Sequence, residues 1–204
     1  MKSHFEILVE EPSMEAFLRG LLPRMLGDAA SFEVYSHQCK DDLLKKLPER
    51  LQGYASWLPT NYRILVLVDR DDDDCVELKG KMEEIAAKAG LASRSINSNQ
   101  QWRIANRIAI EELEAWYFGD WVAVRKIYPR APEGIPRKNG YRDPDAINGG
   151  TWEALERVFK SAGYFTNGLR KTEIARELGK IIDFTQNRSR SFQIFRDALL
   201  EAAN

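Results

Sequence analysis

Residues 63–74 read RILVLVDRDDDD, an apolar run that stops abruptly on acids. From Ile64 to Val68 there is no polar alternation, which predicts a strand covered on both faces, as in the middle of a parallel sheet. The N-terminal region repeats the pattern, because ILVEEPSMEAFL (residues 7–18) runs into Glu10 and Glu11. Crowded carboxylates at strand ends raise one another's pKa, so the pattern calls for a positive partner.

Working outward, HFEILVE reads as the first strand, and Pro12 with Ser13 opens a helix whose Met14, Phe17, Leu18, Leu21 and Leu22 share one face. Pro23 is expected to end or kink it. SFEVYSH reads as a second strand, DDLLKKLPERLQGYASWL as a broken helical stretch, and CVELKGKMEEIAAKAG as an amphipathic helix closed by Gly90. Strands alternating with helical crossovers imply an α/β fold with a mostly parallel sheet flanked by helices. Ser93 to Ile110 leans to β, and EELEAWYFGDW reads as a helix starting near Glu111. The stretch YPRAPEGIPRKNGYRDPDAINGG is rich in Pro, Gly and charge, and the pattern beyond it is helical near Trp152–Ala162, Lys171–Phe184 and Ser191–Ala202. The expected organisation is an α/β domain over 1–128, an exposed loop over 129–150, and a C-terminal helical extension over 151–204 packed on the same domain.

Composition narrows the chemistry. With 204 residues, 44% hydrophobic and 30% charged, the chain fits one folded unit, and it has no apolar run of membrane-spanning length. MKSHFEILVE lacks the apolar core of a signal peptide, so a cytoplasmic location is expected. Cys39 and Cys75 are isolated, and His4 and His37, the only histidines, fit no zinc spacing. Chemistry therefore has to rest on carboxylates, Lys and Arg. Of the 30 lysines and arginines 15 lie at or beyond Trp121, against 10 of the 31 acids, which makes that part +5 and the rest −6. Such a split suits an anionic polymer laid over a carboxylate site.

In a parallel sheet, ligands bind beyond the C-terminal strand ends, where Glu10 and Asp69 fall. An extended chain would put Asp71 on the same side as Asp69. Mg²⁺ or Mn²⁺ is the natural partner for such acids, since both prefer oxygen ligands and make phosphoester cleavage accessible. Glu15 and Asp72 to Asp74 have a simpler reading as acids at helix N-termini. Glu111 and Glu114, one helical turn apart, would converge on a cation or a basic partner. Lys171 opens a helix against its dipole, which a bound phosphate would justify. Arg188 and Arg190, in NRSRSF, and Arg137, Lys138 and Arg142, in the loop, are candidate phosphate-backbone contacts, and Ser189 or Ser191 is the expected cap of the last helix.

An apolar strand ending in Glu, a helix, and a later strand ending in Asp-x-Asp resemble the Toprim domain of topoisomerases, primases and certain nucleases. The fuller run ILVEEPSMEAFL, VLVDRDDDD, IAIEELEAWYFGD and RSRSFQIFRDAL resembles a family of bacterial Toprim-fold proteins encoded beside ABC or chromosome-maintenance-type ATPases. The resemblance implies a Rossmann-like fold and a divalent-metal-dependent phosphodiesterase acting on nucleic acid, as the nuclease subunit of an ATPase-linked defence or repair system. It implies Glu10, Asp69 and Asp71 as catalytic metal-site carboxylates, joined by Glu15 and Asp73, with Glu10 as the general base. Glycine follows the first Glu in the VEG-x-x-E pattern of that family, and here Glu11 takes its place. The alternative is a non-catalytic Toprim-fold subunit docked on an ATPase, since fold does not fix function.

Overall fold

The computed structural model describes residues 2–95 and 102–203. Strands β1 (Ser3–Val9), β2 (Ala30–Ser36), β3 (Tyr62–Asp69) and β4 (Ile104–Ala109) form one sheet in the order β2-β1-β3-β4, and every neighbouring pair is parallel. The β-leaning stretch from Ser93 resolves into one bridge, Ser93 to Ile104, followed by β4, while residues 96–101 lie outside the described residues.

Alternation along the strands feeds two cores. Ile7, Val9, Leu65, Leu67 and Ala105 enter one, and Leu8, Ile64, Val66, Val68 and Ile104 the other. Helix α1 (Pro12–Leu26) covers the first face with Met14, Phe17, Leu18, Leu21 and Leu22, all fully buried. Helices α2 (Lys40–Trp57) and α3 (Cys75–Lys88) cover the second with Leu43, Leu47, Leu51, Leu78 and Met82. Each such side chain contributes roughly 1.5–3 kcal/mol on burial. Several such side chains together outweigh the ~3 kcal/mol cost of an internal proline. Accordingly α1 runs past Pro23 to Leu26, and α2 is continuous through Pro48 where the sequence suggested a break.

The crossovers leave the sheet centre in opposite directions. From β1 the chain passes through α1 to β2, from β3 through α3 to β4, and α1 and α3 lie on opposite faces. The C-terminal ends of β1 and β3 therefore flank a topological switch point, the place where open parallel sheets ordinarily bind ligands.

Beyond β4 the chain adds a helical layer to the α1 face: α4 (Glu114–Gly119), α5 (Trp121–Ile127), α6 (Thr151–Ser161), α7 (Lys171–Gly179) and α8 (Arg190–Ala203). Helix α7 meets α1 backbone to backbone. A Cβ on Gly179 would stand 2.2 Å from the Phe17 carbonyl oxygen, and one on Gly20 would stand 2.9 Å from the Gly179 carbonyl carbon. Arg24 donates to the carbonyls of Gly179 (3.1 Å) and Ile182 (2.9 Å), fixing the far end of α7. Ser189 caps α8, its Oγ accepting from the Phe192 N–H at 3.2 Å.

The stretch 129–150 is only in part the exposed loop expected. Ala131, Ile135, Pro144 and Ile147 are buried, and short 3-10 turns form at Ile135–Arg137 and Pro144–Ala146. Asp145 accepts from the Ser191 N–H (2.8 Å) and the Ser189 hydroxyl (2.7 Å), which ties the loop to the start of α8. Among the described residues no helix is long and apolar enough to cross a membrane.

Candidate functional site

Glu10 follows β1 and Asp69 ends β3, so parallel pairing of the two strands sets them side by side at the switch point. The Asp69 N–H donates to Glu10 Oε2 at 3.1 Å. Both are nearly enclosed, at 7% and 4% exposure, and Glu114, the first residue of α4, is 3% exposed. Asp69 Oδ1 and the Tyr117 hydroxyl are buried with no hydrogen-bond partner.

Enclosure dominates the electrostatics. Burial pushes Glu10 up to about 7, with Asp71 and Glu11 adding to the rise and the Asp69 N–H and Lys40 opposing it. Burial pushes Glu114 up to about 8, against Lys171 and with Glu112 and Glu11. Asp69 lies well above the usual carboxylate range, through burial first and then Glu10 and Glu114. Tyr117 is raised by burial and by Glu114, Glu11 and Asp69, which places its hydroxyl in the field of the same acids. Three carboxylates and a phenol thus share one poorly solvated region.

Two lysines lean on this region, each at the first position of a helix. Lys40 opens α2 and donates to the carbonyls of Asp69 (3.1 Å) and Arg70 (3.0 Å) and to Asp71 Oδ2 (2.7 Å), and it pairs with Asp73 at 2.6 Å. Its burial pulls the pKa down, but Asp71 and Asp73 outweigh that and raise it. Lys171 opens α7, with its Nζ 4.4 Å from the centroid of the Trp152 ring. Burial lowers its pKa, and Glu114, Glu11, Glu112 and Asp69 more than restore it. The cation opposing the α7 dipole therefore faces carboxylates on this chain.

Several expectations about geometry are corrected. The chain does not stay extended after β3: Asp71 takes φ 49°, and its half-exposed carboxylate pairs with Lys40 while remaining in the field of Asp69 and Glu10. Glu111 takes φ 64°, which no helical residue can adopt, so it lies outside α4 and does not share a helical face with Glu114. It pairs instead with Arg70. Burial raises the Glu111 pKa despite that partner. Glu15 bonds the Ser36 hydroxyl and Arg19 (2.8 Å), and these outweigh its partial burial and lower its pKa. Asp74 caps α3, accepting from the N–H groups of Val76 (2.8 Å) and Glu77 (2.9 Å). Glu11 is extended at φ −144°, so the position where the Toprim-like pattern carries glycine needs none of a glycine's freedom.

The remaining basic candidates make no ion pair with Glu10, Asp69 or Glu114 among the described residues. Arg137, Lys138, Arg142, Arg188 and Arg190 are all exposed. Arg188 Nη1 reaches the Arg142 carbonyl and Arg142 Nε the Arg137 carbonyl, both at 3.4 Å, so three arginines from the loop and the approach to α8 share one patch.

Lys40, Glu112 and Tyr117 escaped sequence reading. Glu112 Oε2 accepts from the Trp152 N–H (2.7 Å) and the Thr151 hydroxyl (3.0 Å), capping α6. The signal that singled out Lys171, a cation at a helix start, also marks Lys40 in CKDDLL. Tyr117 carried no signal, because an aromatic residue at helical spacing reads as core.

Among the described residues no group of three or more His, Cys, Asp or Glu side chains stands ready to hold a metal ion. Neither the curated proteins nor the solved structures provide a match to this chain. A family description does match, over residues 9–200, and by that match the chain belongs to the family "Domain of unknown function (DUF4276)".

Proposed function

We propose that the crevice between β1 and β3 is a Toprim-like site for a divalent-metal-dependent phosphodiesterase acting on nucleic acid. The observation that carries this reading is the trio Glu10, Asp69 and Glu114, buried at the switch point with Asp69 Oδ1 unpartnered. Buried like charges are costly unless an opposite charge joins them. The donor set fits a hard cation, being oxygen only. Glu10 and Asp69 would hold Mg²⁺ or Mn²⁺, with Glu114 or Asp71 turning toward it as a third donor. Such an ion supplies Lewis-acid polarisation of a phosphate oxygen.

The remaining roles fall to the chain itself. Lys40 pairs with Asp71 and Asp73 and holds the end of β3 by its carbonyls. Lys171, in whose field Glu114 lies, would oppose the burial that favours the protonated form of that carboxyl, and could meet a phosphate once the acids are neutralised. Glu10 is the candidate general base. The exposed arginine patch would track the phosphate backbone.

A second reading has its own support. The described residues hold no ready three-donor group, and two lysines already stand in the field of the acids, as expected of a Toprim-fold subunit that has lost catalysis and docks on an ATPase. One experiment separates the two: Mn²⁺ titration by calorimetry together with cleavage of single-stranded, double-stranded and supercoiled substrates, for the wild-type chain and Asp69→Asn. Metal binding and cleavage that both vanish in the variant support the enzyme. Binding without cleavage, or neither, favours the subunit.

A further inference from the structure

The edge of the sheet opposite β2 carries a second, independent feature. In the parallel ladder, Ile64 N–H bonds the Arg103 carbonyl and Arg70 N–H bonds the Ala109 carbonyl, so the odd-numbered residues of β4 face β3 and the backbone groups of 104, 106 and 108 face outward. Ile104 is covered, exchanging bonds with Ala92 and Arg94. The Asn106 carbonyl is met by Lys79 Nζ at 2.6 Å and Arg107 Nη1 at 2.8 Å. Among the described residues, no hydrogen bond takes up the outward N–H and C=O of Ile108 or the N–H of Asn106.

Along this open half-edge runs a groove of about 370 Å³ between α3 and α8, lined in part by Lys79, Asn106, Arg107, Ile108, Arg190 and Ile194. Asn106 has no exposure, and neither its side-chain oxygen nor its nitrogen makes a hydrogen bond of good geometry, although the amide lies close enough to Glu83 to help hold that carboxylate's pKa down. Arg107 is 8% exposed, its Nε is unpartnered, and it makes no direct ion pair among the described residues, although it lies in the field of Glu83 and Glu201. Arg190 stands exposed at the rim, also without a carboxylate partner, while Asp145 nearby is occupied by Ser189 and Ser191. A buried, unsatisfied amide ordinarily costs stability. Here one sits beside an open strand edge.

We propose that this groove binds an extended acidic peptide segment of a partner protein, added as a fifth strand along β4. Each unmet group has its complement there. A peptide unit offers one donor and one acceptor, which suits both the Ile108 backbone and the Asn106 side chain. Acidic side chains on alternate residues suit Arg107 and Arg190 on the α8 face, and apolar residues between them suit Ile108 on the α3 face. Pairing of β4 with a second copy of this chain is disfavoured, because it would bring these cations against their own images. Lys79 guards one end of the edge and has to swing from the Asn106 carbonyl only if the added strand extends that far.

The test uses the whole chain and an acetylated, amidated, fluorescein-labelled peptide of alternating valine and glutamate. Binding is read by anisotropy, and amide exchange at Ile108 by NMR. Saturable binding with slowed exchange at Ile108 is expected. Binding should weaken roughly ten-fold or more when lysine replaces glutamate in the peptide, or in Arg190→Glu. It should also weaken when proline interrupts the peptide, and in Ile108→Pro, whose lost N–H faces outward and costs no bond to β3. Retained folding of both variants is checked by circular dichroism. Equal binding of the proline-interrupted peptide, or equal effectiveness of free glutamate or sulfate, would reduce the groove to a simple anion site and overturn the proposal. So would the absence of any binding, an exchange rate at Ile108 that does not move, or concentration-dependent dimerisation abolished by Ile108→Pro, which would make a second copy the occupant.

Discussion

The N–H of Asp71 donates to the carbonyl of Glu111 at 2.9 Å, and both residues occupy the left-handed region, at φ 49° and 64°. One bond thus joins the two loops that leave β3 and β4 at the mouth of the acidic crevice, each bent at a non-glycine residue. Such backbone costs on the order of 1 kcal/mol per residue and persists where surroundings enforce it. Here Lys40 holds one side chain and Arg70 the other.

Asp71→Gly should therefore leave stability within about 1 kcal/mol of wild type, relief of the bend offsetting the lost contact with Lys40. Asp71→Val, branched where φ is positive, should cost about 1–3 kcal/mol. Urea unfolding of the two variants checks the order. Equal losses would mean that the ion pair and not the backbone governs this position.

The raised pKa values of Glu10 and Glu114 predict an inverted pH profile for the metal-free chain. A carboxyl whose folded value exceeds its ordinary 4.5 contributes stability that is fully present below 4.5 and lost as pH climbs through about 7 and about 8. The lowered values of Glu15, Glu83 and Glu201 act oppositely and remove stability in more acidic solution. In EDTA the melting temperature should peak at mildly acidic pH and fall toward pH 8.5. Glu114→Gln should flatten the alkaline fall. Mn²⁺ should do the same in the wild-type chain if the crevice holds it. A melting temperature that rises steadily from pH 5.5 to 8.5 in EDTA would contradict this reading of the site.

Much of the frame was legible because burial on two faces leaves a mark that burial on one does not. Ile64 to Val68 form an unbroken apolar run, and Met14, Phe17 and Leu21 recur at helical spacing; both patterns survive in the structure. Placement of Glu10 and Asp69 on one sheet edge follows from parallel pairing alone. What stayed hidden depends on the backbone at single residues. Nothing in DRDDDD or IEELEAW announces positive φ at Asp71 or Glu111, yet those two bends decide which carboxylates enter the crevice and which turn to Lys40 and Arg70. Tertiary packing hid the rest, since Pro48 reads as a break until the sheet beneath it is known.

The α1–α7 crossing should be intolerant of a single methyl group. A Cβ at Gly179 would lie 2.2 Å from the Phe17 carbonyl oxygen, which belongs to the backbone of a buried helix and cannot swing aside. Gly179→Ala should cost about 1–3 kcal/mol. Gly53→Ala, in α2 with open space around it, should instead add up to ~1 kcal/mol. Because α7 carries Lys171, Gly179→Ala should also alter the ionisation of Glu114, seen as a shifted alkaline limb in the stability profile. Were both alanines equally well tolerated, the helices would not meet at these glycines.

The last prediction concerns the arginine patch and the anion it would meet. Arg137, Lys138, Arg142 and Arg188 are exposed, and the carbonyl contacts linking Arg188, Arg142 and Arg137 are long, so none is needed to hold the fold. Charge-removing substitutions there should change the melting temperature little. If the patch guides a phosphate backbone toward the crevice, each lost contact should lower the slope of log affinity against log salt by about 0.9 on duplex and about 0.7 on single-stranded nucleic acid. Arg190 serves as the internal control, because it lines the groove along β4 and should influence acidic-peptide binding more than nucleic-acid binding. Titrating duplex, single strand and acidic peptide against one set of variants reads both surfaces together. A salt slope unchanged by loss of all four charges would remove the patch from any nucleic-acid path and leave the acidic crevice to be explained without a polymer above it.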